Sequence, residues 1–85
     1  MTQRISLNPE PPIQGQGVEV CYDFRGTDLS QTTLRVIFDP GGASTDHDVT
    51  PASPCVTVSV PGNATSIKVE DLTGDSPDKT SEVDP

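Results

Sequence analysis

The sequence predicts an all-β domain, a seven-stranded sandwich, and three observations lead there. Apolar and polar residues alternate in valine-rich runs, VEVCYDF, TTLRVIFD and CVTVSV, with the period of a strand that buries one face. Gly, Pro, Asn and Asp punctuate the chain roughly every 8 to 14 residues, as in short strands joined by turns. No segment carries a helical period.

RISLN opens the first strand, with Ile5 and Leu7 on one side. PEPPIQGQG follows, and because proline cannot donate to a sheet ladder, the expectation is a kinked, proline-rich edge strand. VEVCYDF is the second strand, with Val18, Val20, Tyr22 and Phe24 facing inward. TTLRVIFD is the third, with Leu34, Val36 and Phe38 inward and Arg35 and Ile37 outward, and it stops at the turn signal DPGG. A short edge strand is expected around residues 47–50. CVTVSV is the fifth strand, with Val56, Val58 and Val60 inward, and Pro61, Gly62 and Asn63 turn the chain. TSIKVEDL turns Ile67 and Val69 inward, and a weak last strand is placed near residues 80–83.

Composition narrows the class. Eighty-five residues suffice for one small domain, residues 1–85, with 31% hydrophobic residues, no Trp, one Tyr and two Phe. Its core must be thin and aliphatic, and a domain of this size is marginal without a staple. The net charge of −8 argues against nucleic acid and anionic membrane surfaces, both of which need clustered Lys and Arg. No apolar run reaches the length of a membrane span. The amino end, MTQRISLNPEPP, lacks the apolar centre of a secretory leader, which fits either a cytosolic protein or a mature exported domain given a starting Met. The last sixteen residues hold six acids against one lysine, so the end of the chain, about residues 79–85, is expected to be solvated and partly frayed.

The cysteines carry most of the architectural argument. Cys21 is out of phase with Val18, Val20 and Tyr22, and Cys55 is out of phase with Val56, Val58 and Val60. Both sulfurs therefore point to the outer face of a sheet. Second and fifth strands are neighbours in a seven-stranded sandwich of this kind. Setting Cys21 opposite Cys55 then places Val20 against Val56, Val18 against Val58 and Glu19 against Thr57, so apolar meets apolar throughout, whereas a slip of one residue would turn the valines to water. A cross-strand disulfide follows as the expectation. Two free thiols paired in phase are the alternative, given that no secretory signal is seen in the sequence. A metal centre would need more ligands than two cysteines, and no His is near them.

At the level of motifs, PEPPIQGQGVEVCYDF resembles the opening edge strand, glycine-containing turn and second strand of immunoglobulin-like domains. VTVSVPGNATSIKVEDLTGDSP resembles their fifth strand, turn, sixth strand and final hairpin. The resemblance is to the short bacterial immunoglobulin-like and fibronectin type III-like modules and spans most of the chain. There are departures: no Trp in the third strand, no Tyr at the start of the sixth, and a cysteine pair facing outward rather than between the sheets. The resemblance implies an immunoglobulin-like β-sandwich serving as a spacer, adhesion unit or accessory domain, although fold alone carries no activity.

Other candidate sites are weighed against plainer roles. Alternation places Asp46 and Asp48 on the opposite side of a strand from His47, so neither orients the ring for acid–base work. Asp71, Asp75 and Asp78 are the best calcium candidates, because hard cations gather several oxygens. Their spacing matches no calcium loop, and DLTGDSPD also reads as turn chemistry. NAT at residues 63–65 fits the N-glycosylation pattern, which matters only in a secreted eukaryotic protein. Arg35 and Glu70 are expected to form a surface ion pair of little worth.

With no convergent catalytic set, the expectation is a non-enzymatic structural or interaction module without a cofactor, probing a protein partner through end loops or a strand edge. Carbohydrate is disfavoured, since Tyr22, Phe24 and Phe38 are all assigned to the core. A monomer is expected, extracellular or periplasmic as a domain of a longer chain. The alternative is a small stand-alone cytoplasmic protein with reduced cysteines that binds a basic partner electrostatically, recognisable by salt-sensitive capture.

Overall fold

A computed structural model describes residues 1–85. It contains seven strands and no helix: β1 (Ile5–Asn8), β2 (Gly17–Tyr22), β3 (Thr32–Asp39), β4 (Ala43–Val49), β5 (Cys55–Ser59), β6 (Ser66–Asp71) and β7 (Lys79–Glu82). They form two antiparallel sheets, one ordered β1-β2-β5 and the other β4-β3-β6-β7.

Alternation in the sequence becomes alternation in burial. Val18, Val20, Leu34, Val36 and Val69 are fully buried between the sheets, joined by Ile5, Leu7, Tyr22, Phe38, Val58 and Ile67. Phe24, Leu29 and Val56 are half-buried and pack against this core. The pairing of β2 with β5 sets Cys21 opposite Cys55, Val20 opposite Val56, Val18 opposite Val58 and Glu19 opposite Thr57. That is the register in which every valine faces inward.

Four local features differ from the sequence expectation, each for a physical reason. The first strand ends at Asn8, and the prolines lie beyond it in a segment that crosses from one sheet to the other. Lacking N–H groups, these prolines cannot extend the ladder. Ile13 instead makes a single parallel bridge to Asp84, with Asp84 N–H donating to Pro12 O and Gln14 N–H donating to Asp84 O, both at 2.8 Å. The crossing segment thus closes the side of the sandwich bounded by β1 and β7.

The acidic carboxyl end is held rather than loose. Lys79–Glu82 pair with β6, Val83 is buried, and its N–H donates to Thr65 O. One buried valine and a backbone ladder hold this segment against the repulsion of its charges.

Strand β4 is longer than the sequence suggested, beginning at Ala43. Gly41 and Gly42 both take positive φ, which lets the chain reverse and pair from its first residue. Most of β4 is exposed, so its polar composition carries no alternation to detect.

Arg35 stands opposite both Glu70 and Asp46, yet it pairs with Asp46, through Nε at 2.9 Å and a second nitrogen at 3.1 Å. Leu72 N–H donates to Thr33 O, so the odd-numbered residues of β3 turn their backbone toward β6. Arg35 and Asp46 therefore form a pair without backbone bonds, in which side chains approach more closely than across the hydrogen-bonded pair with Glu70.

Candidate functional site

Beyond Tyr22 the strand alternation continues briefly. Tyr22 and Phe24 turn inward and meet edge to face, with ring centroids 4.9 Å apart. Phe24 reaches the mouth of the sandwich and is only half-buried. Asp23, Phe24 and Arg25 form one wall of a groove, Pro51 and Pro54 of the β4–β5 connection form the other, and Tyr22 contributes to the lining. The groove has a volume of ≈ 410 Å³.

Both walls are fixed. Arg25 donates from its backbone N–H and its guanidinium to the Asp23 carboxylate, the closest contact being 2.8 Å. Those side-chain hydrogen bonds hold the Asp23 carboxyl down to about 2 and raise the guanidinium, so both groups are charged across the physiological range. Arg4 reaches the same loop from β1's approach: its Nη1 donates to the carbonyls of Asp23 at 3.1 Å and Arg25 at 2.6 Å. Gly26, at φ 77°, completes the turn, and Thr27 closes it by donating to Phe24 O. On the other wall Thr50 and Ser53 bond each other's backbone, and Pro54 O accepts from Tyr22 N–H.

The two walls are also tied covalently. Cys21 and Cys55 form a disulfide with Cα atoms 4.1 Å apart. Each cysteine is the chain neighbour of a groove residue, Tyr22 or Pro54. Cys55 is exposed and Cys21 half-buried, on the outer face of the three-stranded sheet.

Behind the groove lies a buried polar cluster centred on Asp71, one of the three proposed calcium ligands. Its Oδ2 accepts from Tyr22 OH at 2.6 Å, and its Oδ1 accepts from Thr32 Oγ1 at 2.6 Å and from the N–H and hydroxyl of Thr73. Burial pushes the Asp71 carboxyl up, but the donated hydrogen bonds outweigh it and hold the group below its usual range. The same arrangement raises the Tyr22 phenol, through burial first and the neighbouring carboxylate second. Asp71 thus spends its oxygens on protein donors. Asp75 and Asp78 are exposed and do not converge with it.

The one convergent set of metal-ligating types is Glu19, Cys21 and Cys55, within 4.8 Å of one another. With the sulfurs bonded to each other, it offers one carboxylate and no thiolate. His47 bonds Thr45 Oγ1 at 2.7 Å, while Asp46 and Asp48 engage Arg35 and Thr33 on the other face. Asn63 is exposed in the β5–β6 turn. No helix is long and apolar enough to cross a membrane.

The sequence pointed to the disulfide, to Asp71 only as a calcium candidate and not as a centre of hydrogen bonds, and not to the groove. The signal was DFRG, an acid two residues before an arginine and three before a glycine, which is a self-closing turn. Arg4 left no such trace, since its role depends on where β1 lies against β2. No family model, curated protein or solved structure matches the chain.

Proposed function

We propose that this chain is a non-enzymatic protein-interaction module of immunoglobulin-like topology, exported to an oxidising compartment, which contacts its partner through the groove beside the disulfide. One observation carries the reading: the groove is an apolar recess whose two walls are immobilised by a disulfide, an arginine clamp and an ion pair. Preorganised walls lower the ordering cost of binding, and half-buried Phe24 across the groove from Pro51 and Pro54 offers apolar area next to a charged guanidinium.

The topology supports the immunoglobulin-like part of the reading. Second and fifth strands pair, and third and sixth strands pair in the facing sheet, as in that superfamily. The fourth strand joins the third, whereas in constant-type domains it joins the fifth. Export is supported by the disulfide, which persists in oxidising compartments and is rare in reducing ones.

The test is site-specific photo-cross-linking in the cells that make the protein. A photoreactive phenylalanine analogue at position 24 should yield a discrete cross-linked protein, and the same analogue at position 68, on the outer face of β6, should not. Thiol titration of protein taken directly from those cells should find Cys21 and Cys55 oxidised. Equal products from both positions, or none from position 24, would overturn the groove; two titratable thiols would overturn export.

A further inference from the structure

The four sheet edges are not equally protected. At β1, Gln3 Oε1 accepts from Ile5 N–H and Ser76 Oγ accepts from Arg4 N–H, and prolines follow directly. The segment after β7 is bonded to Pro12 and Gln14 of the crossing segment. At β4, the backbone groups that face away from β3 belong to Ser44, Asp46 and Asp48, two of them carboxylates, and charged side chains are a common guard of exposed edges. Strand β5 is flanked by Pro54 and Pro61 but carries no such device along its length: CVTVS contains no charge, no proline and no bulge.

The geometry of that edge can be worked out from the ladder. Tyr22 N–H donates to Pro54 O and Val60 N–H donates to Gln16 O. In an antiparallel pair the backbone groups alternate sides. Val56 and Val58 therefore bond β2, while the N–H and C=O groups of Cys55, Thr57 and Ser59 face outward. Val56 is half-buried on the inner face at the same edge, so a strand laid beside β5 would cover it.

We propose that the free edge of β5 accepts an extended strand from another protein, with apolar residues turned inward over Val56 and cationic residues turned outward. Charge selects this occupant. Strands β2, β4 and β5 carry Glu19, Asp46 and Asp48 and no Lys or Arg, and Asp46 is already paired with Arg35. Glu19 sits on the outer face opposite Thr57, one strand in from the edge. Its carboxylate therefore lies about 10 Å from an incoming strand, a gap that a long lysine or arginine side chain turned outward can span. A second copy would bring another charge of −8 to the same place. The proposal rests on the interaction reading only in taking the partner to be a protein, and its surface is separate from the groove.

The probe is a synthetic peptide of alternating valine and lysine, compared with the same peptide N-methylated at alternate amides and with a valine–glutamate peptide. Amide hydrogen exchange on the intact protein gives the readout. Saturating valine–lysine peptide should slow exchange at Thr57 and Ser59 by about ten-fold or more, with Val56 and Val58 unchanged, and neither control peptide should do so. Thr57→Pro removes one outward N–H without touching the β2 ladder; it should weaken peptide binding by about ten-fold and keep the wild-type melting profile. Phe24→Ala, a groove variant, should bind the peptide as the wild type does, which separates failure of the edge from failure of the groove. No slowing at up to about millimolar peptide, equal slowing by the N-methylated peptide, or protection of Thr57 and Ser59 by self-association alone would overturn the proposal.

Discussion

Removing the disulfide by the double substitution Cys21→Ala/Cys55→Ala should cost this domain a large part of its stability. The cysteines are 34 residues apart, and the chain-entropy relation for a loop of that length gives about 3.8 kcal/mol at 25 °C. Domains have roughly 0.05–0.15 kcal/mol of stability per residue, which for 85 residues is about 4–13 kcal/mol. The loss would therefore be between a third and nearly all of the total, a fall in Tm of about 15–30 °C. Because Cys55 is exposed and Cys21 half-buried, alanine removes little core, so the effect should arise in the unfolded chain. That origin has its own signature: the urea m-value should rise, since an unbridged denatured chain exposes more surface. The assay is urea unfolding of oxidised wild type, reduced wild type and the double variant, with the redox state checked by mass. A loss below about 1 kcal/mol, or an unchanged m-value, would refute the argument that the bridge acts by constraining the unfolded state.

Tyr22→Phe deletes one donor to the buried Asp71 carboxylate and should lower stability by about 1–3 kcal/mol, read by denaturant titration. Asp71 has a folded-state pKa below its ordinary value, so its contribution is complete above about pH 4 and is lost as pH falls through the folded value; Asp71→Asn should flatten that acid limb of the Tm–pH profile. Tyr22 has the opposite shift, so its contribution is complete below about pH 10 and declines above it, a basic limb that Tyr22→Phe should abolish. Leu34 is fully buried, and Leu34→Ala should cost about 2.7–5 kcal/mol and leave the protein largely unfolded at 37 °C unless its total stability is at the upper end.

How much of this was legible in the sequence depends on what each residue's role required. Strands β2, β3, β5 and β6 were readable because their inward residues are valine, isoleucine, leucine or an aromatic, with polar residues between. The register of β2 and β5 was readable because two cysteines and two valine pairs had to agree at once. Strand β4 was mostly hidden, since an edge strand with Val49 as its one buried residue has almost no pattern to show. The hold on the carboxyl end was only half legible. A last strand was expected near residues 80–83 and is present as β7, but counting acids in the final residues says nothing of buried Val83 or of the carbonyls of Thr65 and Pro12 that the segment meets. Assigning Phe24 wholly to the core obscured the groove, because alternation says which way a side chain points but not where the facing sheet ends. Asp71 was noticed for its charge, whereas its hydrogen-bond donors come from Tyr22, Thr32 and Thr73, two of them far away along the chain.

That carboxylate has a consequence for how uniquely the two layers fit together. Val, Ile and Leu side chains are nearly interchangeable neighbours, so an aliphatic interior would tolerate several offsets of one layer over the other at similar energy. Tyr22 can reach Asp71 in only one of them, and in every other a buried anion would go short of a donor. Inside the core the domain thus sets its alignment with one buried directional link, like a dowel between two smooth boards, while the other bonds between the layers lie at their margins.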